Sequence, residues 1–195
     1  MKKTILFITV ILIAQICRGQ VDTTERGVYC KEFKWKISIP EGFVNITPEQ
    51  YAKLQQKGTE VLEKASNGKI ENNTTRVFAF KTDQFHYFES NYQPFDPLKD
   101  GDFATSCRSV YDIIYAGLKK QLPEGTKMDS TISTEVIDHL IFQRFEMKLN
   151  LNKLVLTMLM YNRLFDKKDL TISIFYADKS KGDLILNSWR NSKFE

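Results

Sequence analysis

The chain has 195 residues, 42% of them hydrophobic and 27% charged, with nine glycines and five prolines. That balance excludes collagen-like, low-complexity and disordered chains, which carry more Gly and Pro or fewer apolar residues. The formal charge of +4 sits mostly at the start: without Lys2, Lys3 and Arg18, 25 basic side chains face 24 acidic ones. Near-neutrality argues against nucleic acid as a partner, which calls for a strongly basic stripe.

Lys2 and Lys3 precede a largely apolar run at residues 5–14, and Cys17 and Gly19 are small residues at peptidase spacing. This is the pattern of a cleaved secretory signal peptide over residues 1–19, with a mature start at Gln20. Its apolar stretch is half the length of a membrane span, and no later stretch is long enough, so no membrane span is expected. Acylation at Cys17 would make the chain a lipoprotein, but Ile16 is too large for the residue before an acylated cysteine. The expected location is periplasmic or secreted. There Cys30 and Cys107 form either one disulfide or two separate buried thiols.

Residues 29–39 alternate: Phe33, Trp35, Ile37 and Ile39 point one way, and Glu32, Lys34, Lys36 and Ser38 the other, with Cys30 on the polar side. Period two predicts a half-buried strand, ended by Pro40 and Gly42. Thr47-Pro48 with Gln50 reads as a helix start with a capping box. Tyr51, Leu54, Gly58, Val61, Leu62 and Ala65 then share one face, and Asn67-Gly68 stops the helix. Strands are predicted at 76–81 and 84–89. A loop follows at 91–103, then a helix at 106–122 whose apolar face carries Val110, Ile113, Ile114, Gly117 and Leu118. Four strands come next, at 132–137, 140–149, 154–164 and 170–177. A last helix at 181–192 carries Leu184, Ile185 and Trp189.

Connections of hairpin length force antiparallel neighbours. Residues 154–161 are apolar on both faces, so that strand is covered on both sides. The expected fold is therefore α+β: one domain over residues 20–195, with a central antiparallel sheet of about six to seven strands flanked by helices on both faces, an α/β/α sandwich.

That order, with the phrase FKWKISIPEGF at 33–43, resembles the PsbP/Mog1-like domain family. Pro40, Gly42 and Phe43 carry the likeness. The leader ending in Gly-Gln resembles those of exported proteins of Bacteroidetes-type bacteria. The resemblance implies an accessory, non-enzymatic module that binds another protein, and it supplies no ligand residues.

The residues that could carry chemistry point the same way. His86 and His139 read as ordinary strand and turn histidines, with no ligand partners at metal spacing. No nucleophile motif, phosphate-binding glycine loop or cofactor signature is present. Asp96, Asp100 and Asp102 lack the spacing of a calcium loop. Tyr92, Phe95 and Leu98 stand out because apolar side chains in a proline-bearing loop are candidate contact residues. The alternative is a loop folded back over the sheet edge. A small apolar ligand between helix and sheet, lined by Phe142, Leu156 and Met158, is the second functional expectation.

Overall fold

The computed structural model describes residues 21–24, 26–66, 73–151 and 154–195. The leader, Gln20, Asn67-Gly68 and the side chains of Leu54, Gly58, Val61, Leu62 and Ala65 lie outside what is described. In chain order the elements are β1 (Val21–Thr24), β2 (Gly27–Cys30), a 3-10 turn (Lys31–Phe33), β3 (Trp35–Ser38), β4 (Val44–Asn45) and α1 (Pro48–Ser66). There follow β5 (Thr75–Asp83), β6 (His86–Pro94), α2 (Pro97–Asp100), α3 (Phe103–Gln121), β7 (Lys127–Ile137) and β8 (Leu140–Leu151). The chain closes with β9 (Leu154–Phe165), β10 (Lys168–Tyr176), α4 (Lys179–Arg190) and β11 (Lys193–Phe194).

A seven-stranded sheet in the order β4-β5-β6-β10-β9-β8-β7 forms the middle layer, antiparallel throughout. A second sheet, β1-β2-β3-β11, shares one of its faces with α4, while α1 and α3 cover the other. Helices on both faces of an antiparallel sheet match the expected sandwich.

The predicted entry strand is in fact a hairpin. The chain reverses through the 3-10 turn and Lys34, which sits in the left-handed region at φ 49°. Cys30 comes to lie directly opposite Trp35, on the same buried face. The expectation that it shares the polar side therefore fails, because the reversal resets the alternation.

Helix α1 starts as its sequence dictates. The Thr47 hydroxyl accepts from Gln50 N–H, and the Gln50 side chain accepts from Thr47 N–H, each at 3.3 Å. Two amides that a helix start leaves orphaned are thereby satisfied. Helix α3 buries part of the expected stripe, Gly117 with Ile114 and Leu118 packed inward, and departs from it elsewhere. Cys107 and Tyr111 are buried, with Phe103, Ile114 and Leu118 packed beside them, whereas Val110 and Ile113 are exposed. The buried face is turned toward Tyr111, whose ring stacks on Phe145 at 4.8 Å.

The β7–β8 turn uses Asp138 and His139 at φ 45° and 68°, the left-handed pair that a two-residue hairpin turn requires. Asp138 also accepts from Phe194 N–H at 2.7 Å and from the Lys193 ammonium at 2.8 Å. The C-terminal strand is pinned there.

Candidate functional site

Polar chemistry gathers on the α1/α3 face of the sheet. Strand β6 alternates His86, Phe88 and Ser90 with Tyr87, Glu89, Asn91 and Gln93, so its second set of residues faces the helices. Three consecutive cross-strand pairs to β10 are polar: Glu89 opposite Ser173, Asn91 opposite Thr171, and Gln93 opposite Asp169. Asn162 of β9 links the last two of them. Its amide nitrogen donates to Asp169 Oδ1 at 3.1 Å and to Thr171 Oγ1 at 2.8 Å, while its oxygen accepts from the Tyr111 hydroxyl at 2.9 Å. Gln93 Nε2 donates to the other Asp169 oxygen at 3.4 Å.

Asp169 is only 6% exposed, and both of its donors are neutral amides. Burial raises its pKa, because two neutral donors do not replace the hydration of a full charge. Burial and the Asp169 charge likewise push the neighbouring Cys107 thiol up to about 12. At neutral pH this keeps it in the thiol form. Towards α1, burial raises Glu89, and a hydrogen bond from the Tyr87 hydroxyl and the Arg76 charge only partly oppose it. The Arg76 guanidinium lies 4.7 Å from the Tyr51 ring centre and donates to the Ile46 carbonyl. This strip is a network whose donors and acceptors are spent on one another.

His86 is similarly engaged. Its Nδ1–H donates to Asp83 at 2.7 Å, and its Nε2 accepts from Asp178 N–H at 2.9 Å. This is the neutral tautomer, tying the β5–β6 turn to the start of α4. Burial works against the Asp83 charge, but hydrogen bonds from Phe85 N–H, His86, Lys181 and Thr82 outweigh it and hold the carboxyl well below the usual range. His139 is exposed in its turn. Among the described residues no three His, Cys, Asp or Glu side chains are grouped to hold a metal ion.

The predicted contact residues part company. Tyr92 belongs to β6, which runs on to Pro94 instead of ending before residue 91, and its ring packs edge-on to Phe33 at 5.3 Å. Phe95 is 6% exposed and meets Phe103 at 5.2 Å. The expectation of an exposed aromatic segment is corrected here: both aromatics are drawn in, as the alternative of a folded-back loop anticipated. Leu98 is the exception, 96% exposed on α2. The four-residue helix under it buries none of its own residues, and the Ser106 hydroxyl donates to the Asp100 carbonyl at its end at 2.8 Å. Asp96 accepts from Leu98 N–H at 3.2 Å, Asp100 accepts from Asp96 N–H at 2.7 Å, and Phe95 N–H donates to the Lys167 carbonyl at 2.8 Å. The three loop aspartates act as caps, Asp102 serving Thr105 at the start of α3.

Cys30 and Cys107 are both free and buried, Cys30 in the core under α4 and Cys107 in the core under α3. The sheet lies between them, so the disulfide reading gives way to two separate thiols. Phe142 and Met158 also lie on opposite faces and cannot line one cavity. Space opens instead at the surface. A cleft of about 410 Å³ is lined by Phe33, Phe165, Phe194 and Leu140, with Glu32, Lys34, Lys168 and Glu195 among its polar residues. The polar strip was missed from sequence because it exists only through register between strands β6, β9 and β10. The alternation of Tyr87, Glu89, Asn91 and Gln93 was the one local signal for it.

No family model matches the chain, and no curated protein does. Among solved structures, the solution structure of cyanobacterial PsbP (CyanoP) from Synechocystis sp. PCC 6803 superposes with a TM-score of 0.51. It is 10% identical, over 93% of this chain and 96% of that one. The crystal structure of the Saccharomyces cerevisiae Ran-binding protein Mog1p gives a TM-score of 0.40 at 9% identity, over 90% of this chain and 96% of that chain. At such identity the likeness speaks to fold alone, and on that level the expectation holds: the chain has a PsbP-like fold.

Proposed function

We propose that the chain is an exported, non-enzymatic binding module that acts through contact with another protein. The carrying observation is the contrast between spent and displayed side chains. His86 and Asp169 are consumed by internal hydrogen bonds and Cys107 is a buried thiol, while Leu98 stands clear on a helix fixed by its own caps. A solvated apolar side chain gains from being covered by a partner. The test is capture from native envelope extract by the purified chain, followed by cross-linking and mass spectrometry. Leu98→Asp should abolish capture of the dominant partner without lowering thermal stability. Full capture by that variant overturns the placement.

A second reading, a carrier of a small apolar ligand, is favoured by the cleft between Phe33, Phe165 and Phe194, whose volume falls in the range of small-molecule sites. A ligand co-purifying with the chain, and lost on Phe165→Asp, would move the weight to it.

A further inference from the structure

The two edges of the large sheet are finished differently. At one end β4 is a two-residue strand laid over β5. At the other, β7 runs for eleven residues in unbroken register with β8, and no described strand pairs with its outer side. A long, regular edge without proline is a template for another strand. The helix-facing side of this corner carries exposed apolar residues: Val136 and Ile141, directly paired, are 63% and 57% exposed, and Ile132 is exposed on the same face, with Thr134 between them.

The sequence of β7 says what fits there. Around Ile132 it reads the same in both directions in chemical terms: Thr131 and Ser133, Ser130 and Thr134, Asp129 and Glu135, Met128 and Val136. An antiparallel partner of identical sequence, centred on Ile132, would place Ile132 on Ile132, hydroxyl on hydroxyl and Met128 on Val136. Asp129 would then face Glu135, which is already held by Arg144 at 3.3 Å and Arg190 at 2.7 Å. Arg144, Arg190 and Lys148 together face Glu135 and Glu146, which leaves one positive charge there for an incoming carboxylate. Lys127 would lie diagonal to Glu135 on that same face, within reach for a long side chain.

We infer that β7 is a self-complementary edge that joins two copies of this chain about a two-fold axis through Ile132, making one continuous sheet. A closed, isologous contact of this kind explains why so long an edge carries no strand-blocking device on its apolar side.

Register-specific cross-linking tests it. Opposed residues in an antiparallel pair lie about 4.5–5.5 Å apart between Cα atoms, within disulfide reach. The purified Ile132→Cys chain should form a disulfide-linked dimer under mild oxidation, about tenfold more than Ser130→Cys or Thr134→Cys alone, whereas a mixture of those two should cross-link to each other. Cys30 and Cys107 are buried and do not compete, and the third cysteine, Cys17, is replaced by serine in every chain tested. Sedimentation of the unmodified chain should show dimer at about 100 µM, and Ile132→Lys, with unchanged circular dichroism and melting, should return it to monomer. A monomeric unmodified chain, or equal cross-linking from all three positions, overturns the inference.

Discussion

The two faces of the seven-stranded sheet are filled by opposite means. Under α4 and the small sheet, Trp35, Phe78, Phe80, Phe88, Phe142, Tyr161 and Trp189 form a chain of ring contacts, Trp35 and Trp189 meeting edge to face at 5.7 Å. Under α3, a hydrophobic patch of Phe145, Met147 and Met158 adjoins the polar strip of Asn91, Asn162 and Asp169. The aromatic face supplies non-directional burial. The polar strip supplies register, because a one-residue slip of β6 or β10 would drive Glu89, Asn91 or Asp169 into the aromatic core without partners.

That contrast can be broken from either side. Trp189→Ala removes the ring at the centre of the aromatic face and should cost about 3–5 kcal/mol in urea unfolding, leaving little folded protein. His86→Ala strands the Asp178 N–H and removes one donor from Asp83, and should cost about 1–3 kcal/mol by the same measurement. Tyr111→Phe keeps the ring stacked on Phe145 and loses the hydroxyl's bond to Asn162 and its contact with the Cys107 thiol, so about 1 kcal/mol is expected.

Asp169→Asn sharpens the comparison by sign. The folded state raises the Asp169 pKa and so binds its proton more tightly than the unfolded chain does. Its contribution to stability is therefore lost as pH rises from the unfolded value of about 3.9 through the raised folded value. Asp83 has the opposite sign: its lowered pKa gives stability that is present above the unfolded value and lost as pH falls. Relative to the unmodified chain, Asp169→Asn should be more stabilising at pH 8 than at pH 4. An Asp83→Asn chain should lose most at pH 8. Chemical denaturation at the two pH values reads both.

Local chemistry was legible in the sequence, and long-range register was not. The Thr47–Gln50 capping box, the two-faced strand β9 and the burial of Ile185 and Trp189 follow from spacing alone. The first hairpin was hidden because its reversal, from Lys31 to Lys34, has none of the Gly, Pro, Asn or Asp residues that punctuate turns. Strand β6 was cut short by Pro94, which the structure tolerates at the strand's last residue. Phe95 looked exposed for a related reason: only the Lys167 carbonyl and Phe103, remote or later in sequence, draw it in. Leu98 remains from the predicted contact set because its helix turns it outward.

The most direct measurement on the binding-module account is photo-cross-linking in the native envelope, with the probe placed at Leu98 and, as a control, at the exposed Lys53 of α1. The account predicts one dominant protein adduct from position 98 that position 53 does not give. Identical adducts from both positions, or none from 98, would contradict it.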